Sequence, residues 1–164
     1  MKKILTLILI FFAVSGCVNA EVLQAGVSVE EVPKALFGTW RVNAKLDKTN
    51  SYSTFKPQSA DCWNLSRVDG RISLDNPLSG AKADISVNTV EGNLVIFSKK
   101  TPYGSNKILT DTVHIRIDGN NFSGINSLTL ESFSLVDKHL MKTETATYII
   151  KGEKISGESI LAGD

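Results

Sequence analysis

The sequence predicts an all-β protein whose strands form an antiparallel up-and-down meander that closes into a barrel of eight or nine strands. Two observations support this prediction. Apolar and polar residues alternate with a period of two in several segments, and glycine-containing turn sequences separate those segments. No segment after residue 16 has the three-four apolar spacing of an amphipathic helix. The same pattern also allows a two-sheet β-sandwich, which we keep as the alternative.

The period-two alternation is clearest in three segments. Successive side chains of a strand point to opposite faces, so each segment would present one apolar and one polar face. The apolar positions are Trp40, Val42, Ala44 and Leu46 in the first segment, Ala83, Ile85 and Val87 in the second, and Val113, Ile115 and Ile117 in the third.

Short turn sequences separate the predicted strands. They are Asp69-Gly70, Glu91-Gly92-Asn93, Asp118-Gly119-Asn120 and Lys151-Gly152-Glu153. Gly, Asn and Asp tolerate the positive φ that tight hairpins require. With the first strand, these turns give nine strands, the last two being Lys142–Ile150 and Lys154–Leu161. Closure of so many twisted strands into a barrel would remove the exposed edges of an open sheet.

A late strand has a face whose orientation the sequence leaves open. Thr143, Thr145 and Thr147 lie on one face of Lys142–Ile150, and neither face is cleanly apolar. If the threonines point inward, the barrel interior is partly polar, as a ligand cavity would be. If they point outward, they form a solvated face of residues that favour strands.

The amino-terminal segment has the features of an export signal. Lys2 and Lys3 precede the apolar run Ile4–Val14, which is too short to cross a bilayer as a helix. The sequence Val14-Ser15-Gly16-Cys17 that ends this segment resembles the lipobox of bacterial lipoproteins, in which the cysteine receives a lipid. The resemblance implies a signal peptide over residues 1–16 and a membrane anchor at Cys17. Lipoproteins that stay in the inner membrane usually carry Asp directly after the cysteine. Val18 occupies that position here, so the resemblance favours the outer membrane.

A second cleavage site competes with the first. Val18-Asn19-Ala20 resembles a secretory site, and cleavage there would start the mature chain at Glu21 and leave a periplasmic or secreted protein. In the lipoprotein interpretation, residues 17–36 carry the lipid and form a tether, and residues 37–164 form the β-barrel domain.

The 18 basic and 17 acidic residues nearly cancel, so the charge gives no support for a nucleic-acid partner.

The start of the first strand resembles that of lipocalins. Phe37-Gly38-Thr39-Trp40 contains their G-x-W motif, and Thr110-Asp111 is similar to their T-D-Y motif, with Thr112 in place of the tyrosine. The resemblance implies a lipocalin-like barrel that holds a small, partly apolar ligand under a long loop, here Asp47–Asp61. Trp40, which would close one end of the barrel, and the loop aromatics Tyr52 and Phe55 are the candidate ligand-binding residues.

The sequence contains no recognisable catalytic arrangement. His114 and His139 are its two histidines, and Asp111 lies three residues before His114, which places the two side chains on opposite faces of a strand. Motifs of serine hydrolases, zinc proteases and phosphate-binding loops are absent from the sequence. If Cys17 is acylated, Cys62 has no other cysteine and no nearby histidine with which to hold a metal. We therefore expect a protein that is not an enzyme and has no cofactor and no metal site.

An envelope protein that contacts other proteins, as an inhibitor, assembly factor or host-facing factor, is the alternative function. Tyr103, in the turn Pro102-Tyr103-Gly104, is the candidate contact residue because an aromatic side chain in a turn is exposed to a partner.

Overall fold

The computed structural model describes residues 28–68, 70–157 and 159–160, in which every strand belongs to one sheet. The strands are β1 (Gly38–Thr49), β2 (Gln58–Val68), β3 (Arg71–Asp75), β4 (Lys82–Glu91), β5 (Leu94–Pro102), β6 (Lys107–Asp118), β7 (Asn121–Phe133), β8 (Leu140–Ser156) and β9 (Ser159–Ile160). Strands β1 to β8 are consecutive antiparallel neighbours, and β8 also pairs with β1, so the sheet closes into a ring. The predicted all-β antiparallel meander is confirmed.

The ring is uneven. Strand β6 is paired with β7 along its whole length, from Lys107↔Ser132 to Asp118↔Asn121. Strands β3 and β4, in contrast, pair only from Ile72↔Ile85 to Asp75↔Lys82. The two-residue strand β9 runs parallel to β2 beside Ser66 and Arg67. One wall of the ring is therefore a long ribbon, and the opposite wall is short.

Three of the four predicted hairpin turns are present. Gly70, Gly92 and Gly119 join β2 to β3, β4 to β5 and β6 to β7, with φ angles of 70°, 60° and 56°. These positive angles are the reason that glycine suits these turns.

The fourth predicted turn, Lys151-Gly152-Glu153, is wrong. Strand β8 continues through it, and Gly152 pairs with Val42 of β1 on one side and Phe122 of β7 on the other. A Cβ on Gly152 would collide with the Phe122 ring. The glycine therefore makes room for an aromatic ring inside the strand, which is a known use of glycine in sheets.

One end of the ring is closed by aromatic packing. The Trp40 side chain is 0% exposed, and its ring lies 5.0 Å from that of Phe122 at an interplanar angle of 53°. Its indole N–H donates a 2.8 Å hydrogen bond to the carbonyl of Leu36. Leu36 and Val32 are themselves buried, so a short 3-10 turn at Lys34–Leu36 covers this end. The packed core thus includes residues that the sequence assigned to the tether.

Candidate functional site

An interior cavity of about 220 Å³ lies beyond this closed end. Its walls come from β1, β2, β3 and β5 to β8, so it occupies the centre of the ring. The apolar lining residues are Val42, Ala44, Trp63, Leu74, Phe97, Leu109, Val113, Leu128 and Ile150, and the polar ones are Ser59, Asp61, Lys99, Asp111 and Asn126. The cavity therefore combines an apolar wall with a compact group of charged and amide side chains.

The polar lining residues occupy positions that continue the inward-facing apolar alternation. Asp61 precedes the buried Trp63 by two residues, and Lys99 follows the buried Phe97 by two. Asp111 precedes the buried Val113 in the same way. Because side chains two residues apart share a face, these polar groups point into the ring. These residues are not among the site residues predicted from the sequence, although their spacing was the available signal.

Asp61 is held in place by three donors. Its carboxylate accepts a 2.9 Å hydrogen bond from the backbone N–H of Cys62 and a 3.1 Å hydrogen bond from the indole N–H of Trp63. The side-chain amide of Asn76 donates a third hydrogen bond to the same carboxylate. The donors fix the orientation of the carboxylate in the cavity wall.

Asp111 forms the second charged wall of the cavity. The Lys99 ammonium lies 3.5 Å from its carboxylate, and the Asn126 amide donates a hydrogen bond to it. Burial nevertheless raises the pKa of Asp111, and the charge of Asp61 adds to this rise, while Lys99 and Asn126 oppose it. The two carboxylates are thus close enough to repel each other inside the ring.

The predicted long loop Asp47–Asp61 is shorter in the structure. Strand β1 continues to Thr49 and β2 begins at Gln58, which leaves residues 50–57 as the loop. The long strand β8 explains the difference, because it pairs with β1 as far as Thr49↔Ala146. Beyond that pair, the Asn50 side chain accepts a hydrogen bond from the backbone N–H of Thr145. The loop is therefore tied to β8 at its start.

Glu144 of β8 anchors the same loop from inside the ring. Its carboxylate accepts hydrogen bonds from the hydroxyls of Ser51, at 2.5 Å, and Thr54, at 2.8 Å. The Lys142 ammonium lies 2.9 Å away. The hydrogen bond from Lys142, followed by those from Ser51 and Thr54, lowers the pKa of Glu144 to about 2. The carboxylate is therefore ionised at neutral pH and holds the loop against the strand.

The three candidate ligand-binding residues lie in different environments. Trp40 is in the closed end. Phe55 and Tyr52 both belong to loop 50–57, but the Phe55 side chain is buried in the core, whereas that of Tyr52 is 77% exposed. None of the three is among the described residues that line the interior cavity. The cavity wall next to the closed end is instead formed by Trp63, whose ring stacks 5.8 Å from that of Phe122.

The threonine face of β8 points outward. Thr143 and Thr145 are exposed, whereas Glu144, Ala146, Tyr148 and Ile150 are buried on the other face. The polar character of the interior therefore comes from Asp61, Lys99, Asp111 and Asn126 rather than from this threonine face.

The histidines and Cys62 lie outside the cavity. His114 is exposed on the outer face of β6, opposite the inward-facing Asp111. His139 lies in the exposed turn between β7 and β8, where its Nδ1 atom is hydrogen-bonded to the carboxylate of Asp137 at 2.6 Å. Cys62 is a half-buried free thiol. Within the described ranges, no three His, Cys, Asp or Glu side chains are grouped closely enough to hold a metal ion.

The predicted signal peptide and the lipidation site Cys17 lie outside the described residues. In the part of the chain that the structure describes, no helix is long and apolar enough to cross a bilayer. No protein-family model matches this sequence, and no curated protein matches it.

Proposed function

We propose that this chain is a lipid-anchored protein of the bacterial cell envelope that binds a small, partly apolar ligand inside its ring and carries out no catalysis. The interior cavity is the observation on which the ligand-binding proposal depends, because a ring built only for stability would be filled by side chains. The lipobox-like sequence ending in Cys17 supports the anchor, and Val18 after the cysteine supports the outer-membrane location.

The size of the cavity limits the ligand. The volume of the cavity is about 220 Å³. This is below the ~300–1,000 Å³ of most drug-sized sites, so the ligand is a compact molecule with a short apolar portion. The lining residues Phe97, Val113 and Leu128 would contact that portion.

The charges of the lining residues favour a ligand with a cationic or hydrogen-bond-donating group. The lining contains two carboxylates, Asp61 and Asp111, and one ammonium, Lys99. A ligand anion would meet a second negative charge for which the cavity has no free cation among the described lining residues, since Lys99 already pairs with Asp111. An ammonium group would lie between the two carboxylates and relieve their repulsion.

A matched series of five-carbon probes tests both parts of this proposal. Pentylammonium, 1-pentanol and pentanoate are titrated into the purified full-length protein by isothermal calorimetry. We expect pentylammonium to bind about tenfold more tightly than 1-pentanol, which corresponds to ~1.4 kcal/mol, and pentanoate to bind most weakly. Equal affinities for pentylammonium and 1-pentanol would support the cavity as a binding site but contradict the preference for a cationic ligand. Binding of none of the three would reject the ligand-binding function.

Two leucine variants identify where the probe binds. Ala44 lines the cavity, so Ala44→Leu places a larger side chain in the cavity wall. Ala60→Leu makes the same change at an exposed position of β2 that does not line the cavity. Ala44→Leu should abolish probe binding, and Ala60→Leu should leave it unchanged. Equal losses in both variants would place the bound probe on the outer surface and contradict the proposal.

Mass spectrometry of the mature protein tests the anchor. The proposal requires a mature chain that begins at Cys17 with acyl groups attached. A chain that begins at Glu21 without a lipid would instead support the secretory alternative and remove the anchor from the proposal.

A further inference from the structure

The two ends of the ring differ in the character of their loops. An up-and-down meander places alternate connections at the same end, so residues 50–57, 76–81, 103–106 and 134–139 share the end opposite the closed one. We call this the loop end. Each of its four connections carries an exposed large apolar or aromatic side chain. These side chains are Tyr52, Leu78, Tyr103, Leu135 and Val136, which are between 58% and 94% exposed.

The connections at the closed end have a different composition. The turns Gly92-Asn93 and Gly119-Asn120 are exposed and carry no large apolar side chain. An apolar residue at the tip of one loop is ordinary on a protein surface. Its recurrence on all four connections of one end indicates a surface that meets an apolar phase or partner.

Lysines surround these apolar tips. The segments 47–57, 75–82, 100–107 and 131–144 contain seven lysines and five carboxylates, an excess of two positive charges. Lys56, Lys100 and Lys138 are exposed. Lysine side chains near an anionic lipid surface are attracted to it.

The arrangement of the tips favours lipid over protein as the partner. The exposed side chains are on four separate connections around the mouth of the ring, so a rigid partner would need a matching pocket for each. A fluid bilayer surface accommodates all of them without such pockets. Tyrosine is also enriched where proteins cross the boundary between lipid and water. We propose that the loop end binds the surface of an anionic membrane, with Tyr52, Tyr103, Leu135 and Val136 in its headgroup region.

The proposal is independent of the ligand-binding function, and tryptophan fluorescence tests it. Val136→Trp places a reporter at the loop end, and Asn120→Trp places a control reporter in an exposed closed-end turn. The native Trp40 and Trp63 are both buried and give a constant background. The full-length protein is mixed with vesicles of brominated phosphatidylcholine that contain phosphatidylglycerol, because bromine quenches tryptophans that contact the lipid.

We expect the residue-136 reporter to shift to the blue and lose about half of its emission, while the residue-120 reporter is unchanged. The loss should be smaller on vesicles without phosphatidylglycerol, since the lysines then lack an anionic surface. Quenching at residue 120 without quenching at residue 136 would show that the closed end faces the membrane and overturn the proposal. An unchanged residue-136 reporter would overturn it as well, and a protein crosslink from that position in intact cells would then assign the loop end to a protein partner.

Discussion

The closed end and the cavity layer are built on the same strands, but they are filled in opposite ways. At the closed end, Trp40 packs on Phe122, and its one polar group donates to the Leu36 carbonyl, so the side chain is fully buried and hydrogen-bonded. One layer further in, Asp61 and Asp111 take inward positions, and a cavity of about 220 Å³ separates the walls. The comparison indicates that close packing and the proposed ligand binding are divided between two levels of one ring.

Trp63 joins the two levels. Its ring stacks on Phe122 of the closed end and meets the edge of Phe97, a cavity residue, at a centroid distance of 6.3 Å. Its indole N–H donates to Asp61. A shift of this tryptophan would therefore disturb both the closed end and the cavity wall, whereas changes in either level alone should separate their effects.

The largest expected effect is at the centre of the closed end. Trp40→Ala removes a fully buried ring and should lower the free energy of unfolding by about 3–5 kcal/mol, as measured by urea denaturation. The control Tyr52→Ala removes a ring that is 77% exposed and should change stability by less than about 0.5 kcal/mol. Similar losses in the two variants would mean that Trp40 does not fill the closed end.

A smaller loss is expected at the glycine beneath Phe122. Gly152→Ala places a methyl group where the Phe122 ring lies and should lower the free energy of unfolding by about 1–3 kcal/mol. The control Gly157→Ala meets no heavy atom within 4 Å. Its stability in the same denaturation experiment should match that of the wild type. A neutral Gly152→Ala variant would contradict the packing role of this glycine.

The third prediction concerns the pH dependence of stability at the loop end. The folded-state pKa of Glu144 is about 2, below its usual 4.5, so its ionised form is favoured in the folded protein. This contribution is fully present above pH 4.5 and is lost as the pH falls toward 2. Denaturation midpoints of Glu144→Gln should therefore fall less steeply across this range than those of the wild type. Glu153→Gln, in an exposed pair with Arg41, should retain the wild-type slope.

The smallest stability effect is expected in the cavity layer. Burial raises the pKa of Asp111, so the folded protein binds this proton more tightly than the unfolded chain does. Its contribution to stability is largest at low pH and decreases as the pH rises above 3.8 through the folded-state pKa. Asp111→Asn removes this decrease and should change stability at neutral pH by less than about 1 kcal/mol.

The control for that prediction is Asp84→Asn, since Asp84 forms an exposed pair with Arg71. Its dependence of stability on pH should match that of the wild type. A loss of several kcal/mol in Asp111→Asn at neutral pH would show instead that the cavity layer, like the closed end, is essential for folding.

The period-two alternation was sufficient to predict the sheet, because the spacing of apolar residues directly determines which face is buried. It did not predict β8 correctly, because Lys151-Gly152-Glu153 looks like a turn sequence. Gly152 instead makes room for the ring of Phe122, a residue that is distant in sequence. The cavity residues were missed for a related reason. Asp61 and Asp111 are charged, and only the folded ring shows that their inward positions face each other.

The pairing of β1 with β8 has a consequence for the order of folding. Thr39 pairs with Ser156, so the ring closes only after nearly the whole described chain is present. Before closure, β1 and β8 each expose an edge that can pair with another chain. Contacts of such long sequence separation slow folding. We therefore expect slow refolding that is sensitive to protein concentration. Aggregation should increase with the time that β1 and β8 take to pair.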